Sequence, residues 1–293
     1  MEPIKEPVIT HLLAKKMHEK SQTPKPTALG TPLRYSSSFG CARQQGYYAF
    51  DAEPTEPMDE AGAWVTGIGT IVHEALQEAI LEVFPNALFE VPSGTEYISG
   101  SCDALIPVSD LGIKVPGTHV LWELKTMGTF GFDKQVGWNR MRGDWKYPEG
   151  PAKKAVVQAG MNALGIMAAN PEIVIEKIVM GSTTFEALSI NKAEKMGVEK
   201  YNRFMAEFWI DRSQWEQDAL DEIRRSEGIF SALTAGYLPD RIALDDNGSA
   251  LRLDPNSSKF WQCDYCSFKT VCLQDGDGQV WINESNLERR NKD

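Results

Sequence analysis

A chain of 293 residues, 42% hydrophobic and 24% charged, can bury a large core in one big domain or two modest ones and has the balance of a soluble globular protein. No apolar run approaches the length of a membrane span and the N-terminus lacks a charged-then-apolar leader, which places the chain in the cytoplasm and off the membrane. The net charge of −11 excludes a protein that coats nucleic acid without discrimination, but leaves room for a local basic groove.

Residues 1–30 mix Lys, His, Pro and Thr around a short helical pattern at 11–20 and read as a loosely tethered arm. The serines that follow Arg34 would cap a short helix carrying Cys41 and Arg43. Residues 51–62 are acidic, contain Pro54 and Pro57, and read as a loop. The first long helix is expected over 63–84, where Ile68, Ile71, Val72, Ala75, Leu76, Ala79, Ile80 and Val83 recur at helical spacing. His73 flanks that stripe, and Gly69 one turn earlier would let another backbone or a substrate come close.

Two strands are expected at 88–91 and 97–108, joined by a turn at Pro92, Ser93 and Gly94. Asp103 lies in the second among apolar neighbours, where a lone carboxylate is costly and needs a lysine, a metal or water as partner. After Gly117 comes a strand through Leu121, Trp122, Glu123, Leu124, Lys125 and Thr126, expected to be adjacent and antiparallel. Side chains alternate along a strand, so Glu123 and Lys125 share a face. A carboxylate and an ammonium so placed suit the holding of a hard divalent cation and the positioning of a water on it. The plainer reading of the pair is an ion pair on a half-exposed strand.

Residues 127–150 read as turn-rich and irregular. They interleave Lys134, Arg140, Arg142 and Lys146 with Phe130, Phe132, Trp138, Trp145 and Tyr147. That pattern suits a channel for single-stranded nucleic acid, or a surface loop whose rings pack back on the domain. A second long helix is expected over 151–170, opened by Pro151, with Gln158 and Asn162 on one face and Gly165 close by. Strands at 173–180 and 184–190 would precede a long helical region from 191 to 233, broken near 211–213, and then a polar connector at 239–258.

The five cysteines are Cys41, Cys102, Cys263, Cys266 and Cys272. An odd number without an export signal disfavours a disulfide framework and favours metal binding or chance core cysteines. Cys263-x2-Cys266-x5-Cys272 packs three cysteines into ten positions, a spacing that suits zinc or an iron–sulfur cluster. The fourth ligand must come from elsewhere. Cys41 is the natural candidate, and Cys102, beside Asp103, is a poorer one.

Taken in order, Gly69-x3-His73 on a helix, Asp103 in a strand, Glu123-x-Lys125 in the next and Gln158 on the following helix resemble the PD-(D/E)xK nuclease superfamily, in its RecB-type exonuclease branch. One cysteine ahead of these motifs and three behind them sharpen the resemblance toward the iron–sulfur nucleases of that branch, the CRISPR-associated exonucleases and the nuclease domain of the AddB recombination subunit. The resemblance runs from Tyr35 to Leu273. It implies an α/β fold, a restriction-endonuclease-like mixed sheet flanked by helices. The implied divisions are an arm over 1–30, a cluster-binding subdomain from 31–62 and 234–275, a nuclease core over 63–233 and a charged tail over 276–293.

The same resemblance implies that His73, Asp103, Glu123 and the Leu124 carbonyl hold Mg²⁺ or Mn²⁺, that Lys125 orients the attacking water, and that Gln158 contacts substrate or the lysine. The family often has a tyrosine four residues after that glutamine, where this chain has Asn162. Cys41, Cys263, Cys266 and Cys272 would bind a 4Fe–4S cluster, with zinc as the alternative occupant. A clip between chain positions so far apart is worth about 5 kcal/mol by analogy with disulfide loop closure.

The implied activity is that of a metal-dependent DNA exonuclease in recombination, repair or phage DNA processing, leaving a 5′ phosphate. If phage-encoded, the chain would work in the cytoplasm of a bacterial host. Its partners would be DNA with a free end or a single strand, contacted through Arg140, Arg142, Lys146, Trp138 and Trp145, together with a helicase, an annealing protein or a CRISPR adaptation complex. The competing readings are a structure-directed endonuclease and a non-catalytic nucleic-acid-binding protein stabilised by a cysteine-bound metal. The sequence shows no helix-turn-helix, which favours end-directed or structure-directed cutting.

Overall fold

The computed structural model describes residues 18–19, 33–139, 144–145, 149–184 and 204–282. In chain order its first elements are β1 (Leu33–Arg34), α1 (Ala42–Ala49), α2 (Glu60–Val83), β2 (Leu88–Gly94), β3 (Ile98–Pro107) and β4 (His119–Met127). There follow α3 (Thr129–Val136), β5 (Trp138–Asn139), β6 (Asp144–Trp145), α4 (Lys153–Ala169), β7 (Ile175–Thr184), β8 (Met205–Asp211) and α5 (Arg212–Thr234). The last are β9 (Tyr237–Leu238), β10 (Ile242–Leu244), β11 (Ala250–Arg252), α6 (Trp261–Asp264), α7 (Lys269–Gln274) and β12 (Val280–Trp281).

A six-stranded mixed sheet organises these elements. β3 is antiparallel to β2 and β4, β4 is parallel to β7, and β8 closes the far edge antiparallel to β7. The parallel pair needs a crossover, and α4 supplies it. α4 therefore returns antiparallel to β4 and β7, with its N-terminal turn at their carboxyl ends. On that face Leu105, Leu121, Ile178 and Met180 pack with Val157, Met161 and Ile166 of α4 and Trp215 and Ala219 of α5. α4 crosses α5 at Gly160, where a Cβ would stand 2.9 Å from the Ala219 Cβ and 3.1 Å from the Trp215 ring. On the other face Ala104, Ile106, Val120 and Val179 meet Ile80 and Phe84.

α2 departs from expectation in its packing. It forms where its periodicity predicts, and it starts at Glu60 because Asp59 caps it, accepting the Gly62 N–H at 2.8 Å. Yet only Ala63 of the helix is buried, and Val65, Ile71, Leu81 and Val83 stay exposed. A Cβ at Gly69 would meet nothing within 4 Å among the described residues, so no other backbone comes close there.

Other boundaries move for identifiable reasons. β2 continues through Pro92, Ser93 and Gly94, and the turn falls at Thr95, whose N–H donates to the Ile98 carbonyl at 2.8 Å. Proline is tolerated there because, among the described residues, β2 pairs only with β3 and its other edge needs no donor. The serines after Arg34 form a 3-10 turn (Tyr35–Ser37), and α1 begins later with Cys41 at its N-cap. Residues 129–136 are helical rather than irregular, ending at Gly137 with φ 80°. Within the region read as one long helix, β8 alternates Ala206, Phe208 and Ile210 inward with Glu207 and Trp209 outward. Asp211 then caps α5 through a capping box with Gln214. The expected connector at 239–258 contains the β10–β11 hairpin. β7 extends the strand expected to end at 180 to Thr184; the strand expected over 184–190 falls, beyond Thr184, outside the described residues, as does most of the 1–30 arm.

The two chain ends share one small core in which Tyr47, Leu238, Phe268, Val271 and Ile282 are buried. β1 and Tyr35 belong to the main sheet and its core. Arg43 donates to the Gly276 and Gly278 carbonyls, and residues 280–281 pair with β9. Among the described residues no helix is long and apolar enough to cross a membrane.

Candidate functional site

β3 is shared between two neighbours on one edge. β1 pairs with its residues 98–99 and β4 with 104–107, so residues 100–103 face a gap there. On the opposite edge the ladder with β2 skips Glu90 and Asp103. Glu90 sits at φ 48°, a left-handed conformation that a non-glycine residue adopts under constraint. Ser101 Oγ donates to Glu90 Oε2 at 2.6 Å and Gln77 Nε2 to Oε1 at 3.2 Å. Both ladders of β3 therefore break at Asp103. In the gap its Oδ2 accepts the Leu124 N–H at 2.6 Å, while Oδ1 lies 3.5 Å from His73 Nδ1.

Beyond the break β4 carries Glu123 and Lys125 toward α4. Glu123 is 2% exposed. Its Oε1 accepts from Lys125 Nζ at 2.8 Å and from Gln158 Nε2 at 3.1 Å, and Lys125 Nζ also donates to Gln158 Oε1 at 3.3 Å. Its Oε2 is buried and has no hydrogen-bond partner among the described residues. Burial pushes the Glu123 carboxyl well above the usual carboxylate range, against the pull of the Lys125 charge. The hydrogen bond to Asp103 holds His73 above its ordinary value, against partial burial.

An unsatisfied buried carboxylate oxygen costs about 1–3 kcal/mol, more when charged. An oxygen of that kind beside a second carboxylate is what a hard divalent cation takes as ligand. Among the described residues no group of three His, Cys, Asp or Glu side chains is already arranged to hold a metal ion. Both Asp103 oxygens are engaged as they stand, one by Leu124 and one by His73.

The cysteines gather at the other end of the molecule. Cys41 at the α1 N-cap, Cys263 in α6, Cys266 in the following turn and Cys272 in α7 line one pocket, with Tyr47 and Arg241. Arg241 Nε donates to Cys272 Sγ at 3.1 Å. Burial pushes the Cys263 thiol up to about 11 and Cys266 up to about 12, and raises Cys41 as well. Thiols so placed stay protonated unless a cation replaces the proton. Cys102 lies apart, in the core between the sheet and α4, pushed up to about 12 by burial. The segments bearing the pocket are also clasped directly: Tyr47 Oη donates to Asp275 at 2.7 Å, and Glu56 Oε1 accepts the Thr270 N–H at 3.1 Å.

No family model, curated protein or solved structure matches the chain. The site thus rests on its own geometry.

That geometry sorts the remaining candidates. Trp138 pairs with Trp145 in the β5–β6 ladder. Arg140, Arg142, Lys146 and Tyr147 lie outside the described residues. Lys134 is paired with Glu149 at 2.9 Å and Phe132 is buried, while Phe130 is 85% exposed. Asn162 is fully buried, accepting from Ser93 Oγ at 2.9 Å and donating to the Ser101 carbonyl at 3.0 Å, so it ties the β2–β3 hairpin to α4. Sequence reasoning missed Gln77, Glu90 and Lys154. Two of them had a readable signal: Gln77 follows His73 by one helical turn, and Lys154 precedes Gln158 by one.

Proposed function

We propose that the chain is a divalent-metal-dependent DNA exonuclease with a restriction-endonuclease-like core and a structural 4Fe–4S cluster in the subdomain made by both chain ends. The observation that carries this is Glu123: a buried carboxylate with one oxygen gripped by Lys125 and Gln158 and the other without a donor among the described residues.

His73, Asp103, Glu123 and the Leu124 carbonyl would hold Mg²⁺ or Mn²⁺. Bound there, such an ion neutralises phosphodiester charge and lowers the pKa of water. Lys125 has two of its three ammonium donors on Glu123 and Gln158, which leaves one for the attacking water. Gln158 accepts from Lys125 and donates to Glu123, and so fixes the spacing of the two. The Asp103–Leu124 bond braces the split between β3 and β4 where a substrate strand would enter.

For the cysteine pocket, the fit is to a cage of irons. A cluster takes one thiolate on each of several irons, spread around it, whereas a single zinc needs all four converging on one point. Four cysteines brought from both chain ends line one shared pocket, a set that suits such a cage, with zinc as the alternative occupant. The Arg241 N–H on Cys272 would offset thiolate charge.

The test is a nuclease assay on anaerobically purified protein with Mn²⁺ or Mg²⁺. Linear DNA labelled separately at its 5′ and 3′ ends is compared with a closed circle, for wild type and Glu123→Ala. Degradation of the linear DNA alone, lost in the variant, supports the exonuclease. Cutting of the circle moves the assignment to an endonuclease. A folded wild type that cuts neither with either ion refutes the proposal.

A further inference from the structure

One turn before Gln158, on the same face of α4, stands Lys154. Because α4 runs antiparallel to β4, this turn lies past Lys125, toward the carboxyl ends of β4 and β7. Parallel strands in α/β sheets present ligands at that end.

The charges around Lys154 do not balance. Glu123 is taken by Lys125 at 2.8 Å. The carboxylate that Lys154 does feel is Glu222, which is 2% exposed and already committed to Arg225 at 2.8 Å and to the Phe39 N–H at 2.9 Å. Lys153, next in the chain, is paired with Asp218 at 2.9 Å. Lys154 makes no hydrogen bond or ion pair among the described residues. Its side chain as a whole reaches solvent, but the ammonium is hemmed in; that burial, and then the Lys125 charge, hold its pKa below the usual lysine value.

Two neutral features that favour an anion lie at the same end of the sheet. The first turn of α4 has no side-chain cap and no acidic residue; its Ala155 N–H goes to the Ala152 carbonyl, and among the described residues no carboxylate claims the Lys153 and Lys154 N–H groups. On the sheet, strand alternation puts Thr184 on the face of Ser182, which pairs with Lys125. Thr184 is 7% exposed, and its hydroxyl has no hydrogen-bond partner among the described residues.

We propose that Lys154 grips a phosphate of the DNA strand adjoining the bond to be cut, as a positioning residue, with the open first turn of α4 and the Thr184 hydroxyl as neutral donors. This inference rests on the nuclease reading and names the substrate contact of that site.

The test uses the full chain, a short fluorescein-labelled single strand and Mn²⁺. Lys154→Ala raises Kd and KM about tenfold while kcat stays within about threefold, the size of one charge-assisted phosphate contact. It also lowers the slope of log K against log salt by about 0.7. Lys154→Arg restores most of the affinity, Lys153→Ala behaves as wild type, and Mn²⁺ affinity is unchanged in all three. Unchanged Kd and salt slope in Lys154→Ala overturn the inference, as does a loss that Lys154→Arg fails to restore. The nuclease reading fails separately: a wild type that binds the strand and never cuts it sinks that reading, while the affinity comparison still decides the role of Lys154.

Discussion

Asp103 Oδ2 accepts the Leu124 N–H at 2.6 Å, at the point where the β3–β4 ladder ends. A side chain thus takes over from the main chain and holds two strands together across an opening.

This bond separates the structural from the chemical role of Asp103. Asp103→Ala leaves the Leu124 N–H without its acceptor and costs about 1–3 kcal/mol, read as a shift of the urea midpoint at constant slope. Asp103→Asn keeps an acceptor and stays within about 1 kcal/mol of wild type, yet loses metal-dependent cleavage. Equal stability of the Ala and wild-type proteins contradicts the bracing role.

Glu123→Gln removes a buried charge while keeping its shape. It leaves the protein folded and at least as stable, because an unsatisfied ionised oxygen is no longer buried. Cleavage falls at least about a hundredfold, since an amide is a poor ligand for a hard cation. Retention of wild-type cleavage in this variant shows that Glu123 holds no catalytic ion.

Stability follows pH with a defined sign. A carboxyl whose folded pKa is raised contributes most below its unfolded value, near 4.5, and loses that contribution as pH rises through its folded value of about 7. Metal-free wild type therefore loses stability relative to Glu123→Gln between about pH 4.5 and about pH 7. Mn²⁺ competes with the same proton, so its affinity rises over that interval. Urea midpoints and Mn²⁺ titrations at the two ends of the range check both; a gap between the two proteins that does not change with pH contradicts the buried-carboxyl account.

The cysteine pocket predicts a contrast between residues of the same type. Cys41→Ala and Cys263→Ala lose bound iron, visible absorbance and several degrees of Tm, because the clasp between the chain ends is gone. Cys102→Ala keeps its iron and loses only about 1 kcal/mol of packing, since that thiol lies in the sheet core. Brown, well-folded protein from both pocket variants contradicts the cluster.

Most elements were readable because each carries its signal locally. α2 and α4 have apolar periods of the right length, and β4 follows from its alternation. β8 was misread because its alternation is short and runs straight into the helix capped by Asp211. The channel and packed-loop readings of 127–150 could not be separated in sequence because aromatic and basic residues look alike there whether paired, buried or free; in the fold Lys134 is paired and Phe132 is buried.

The chain order alone supplied the mixed α/β class, the neighbourhood of β3 and β4, and the residue types gathered at each end of the molecule. It could not show that β3 splits between β1 and β4, that Asp103 fills the split, or that, among the described residues, one Glu123 oxygen is left without a donor and Lys154 stands near Lys125 without a counterion. Periodicity and caps act over one or two turns, so they are written in consecutive residues. A missing partner arises only when segments distant in sequence pack and remove water from a polar atom, and that is decided by the assembled fold.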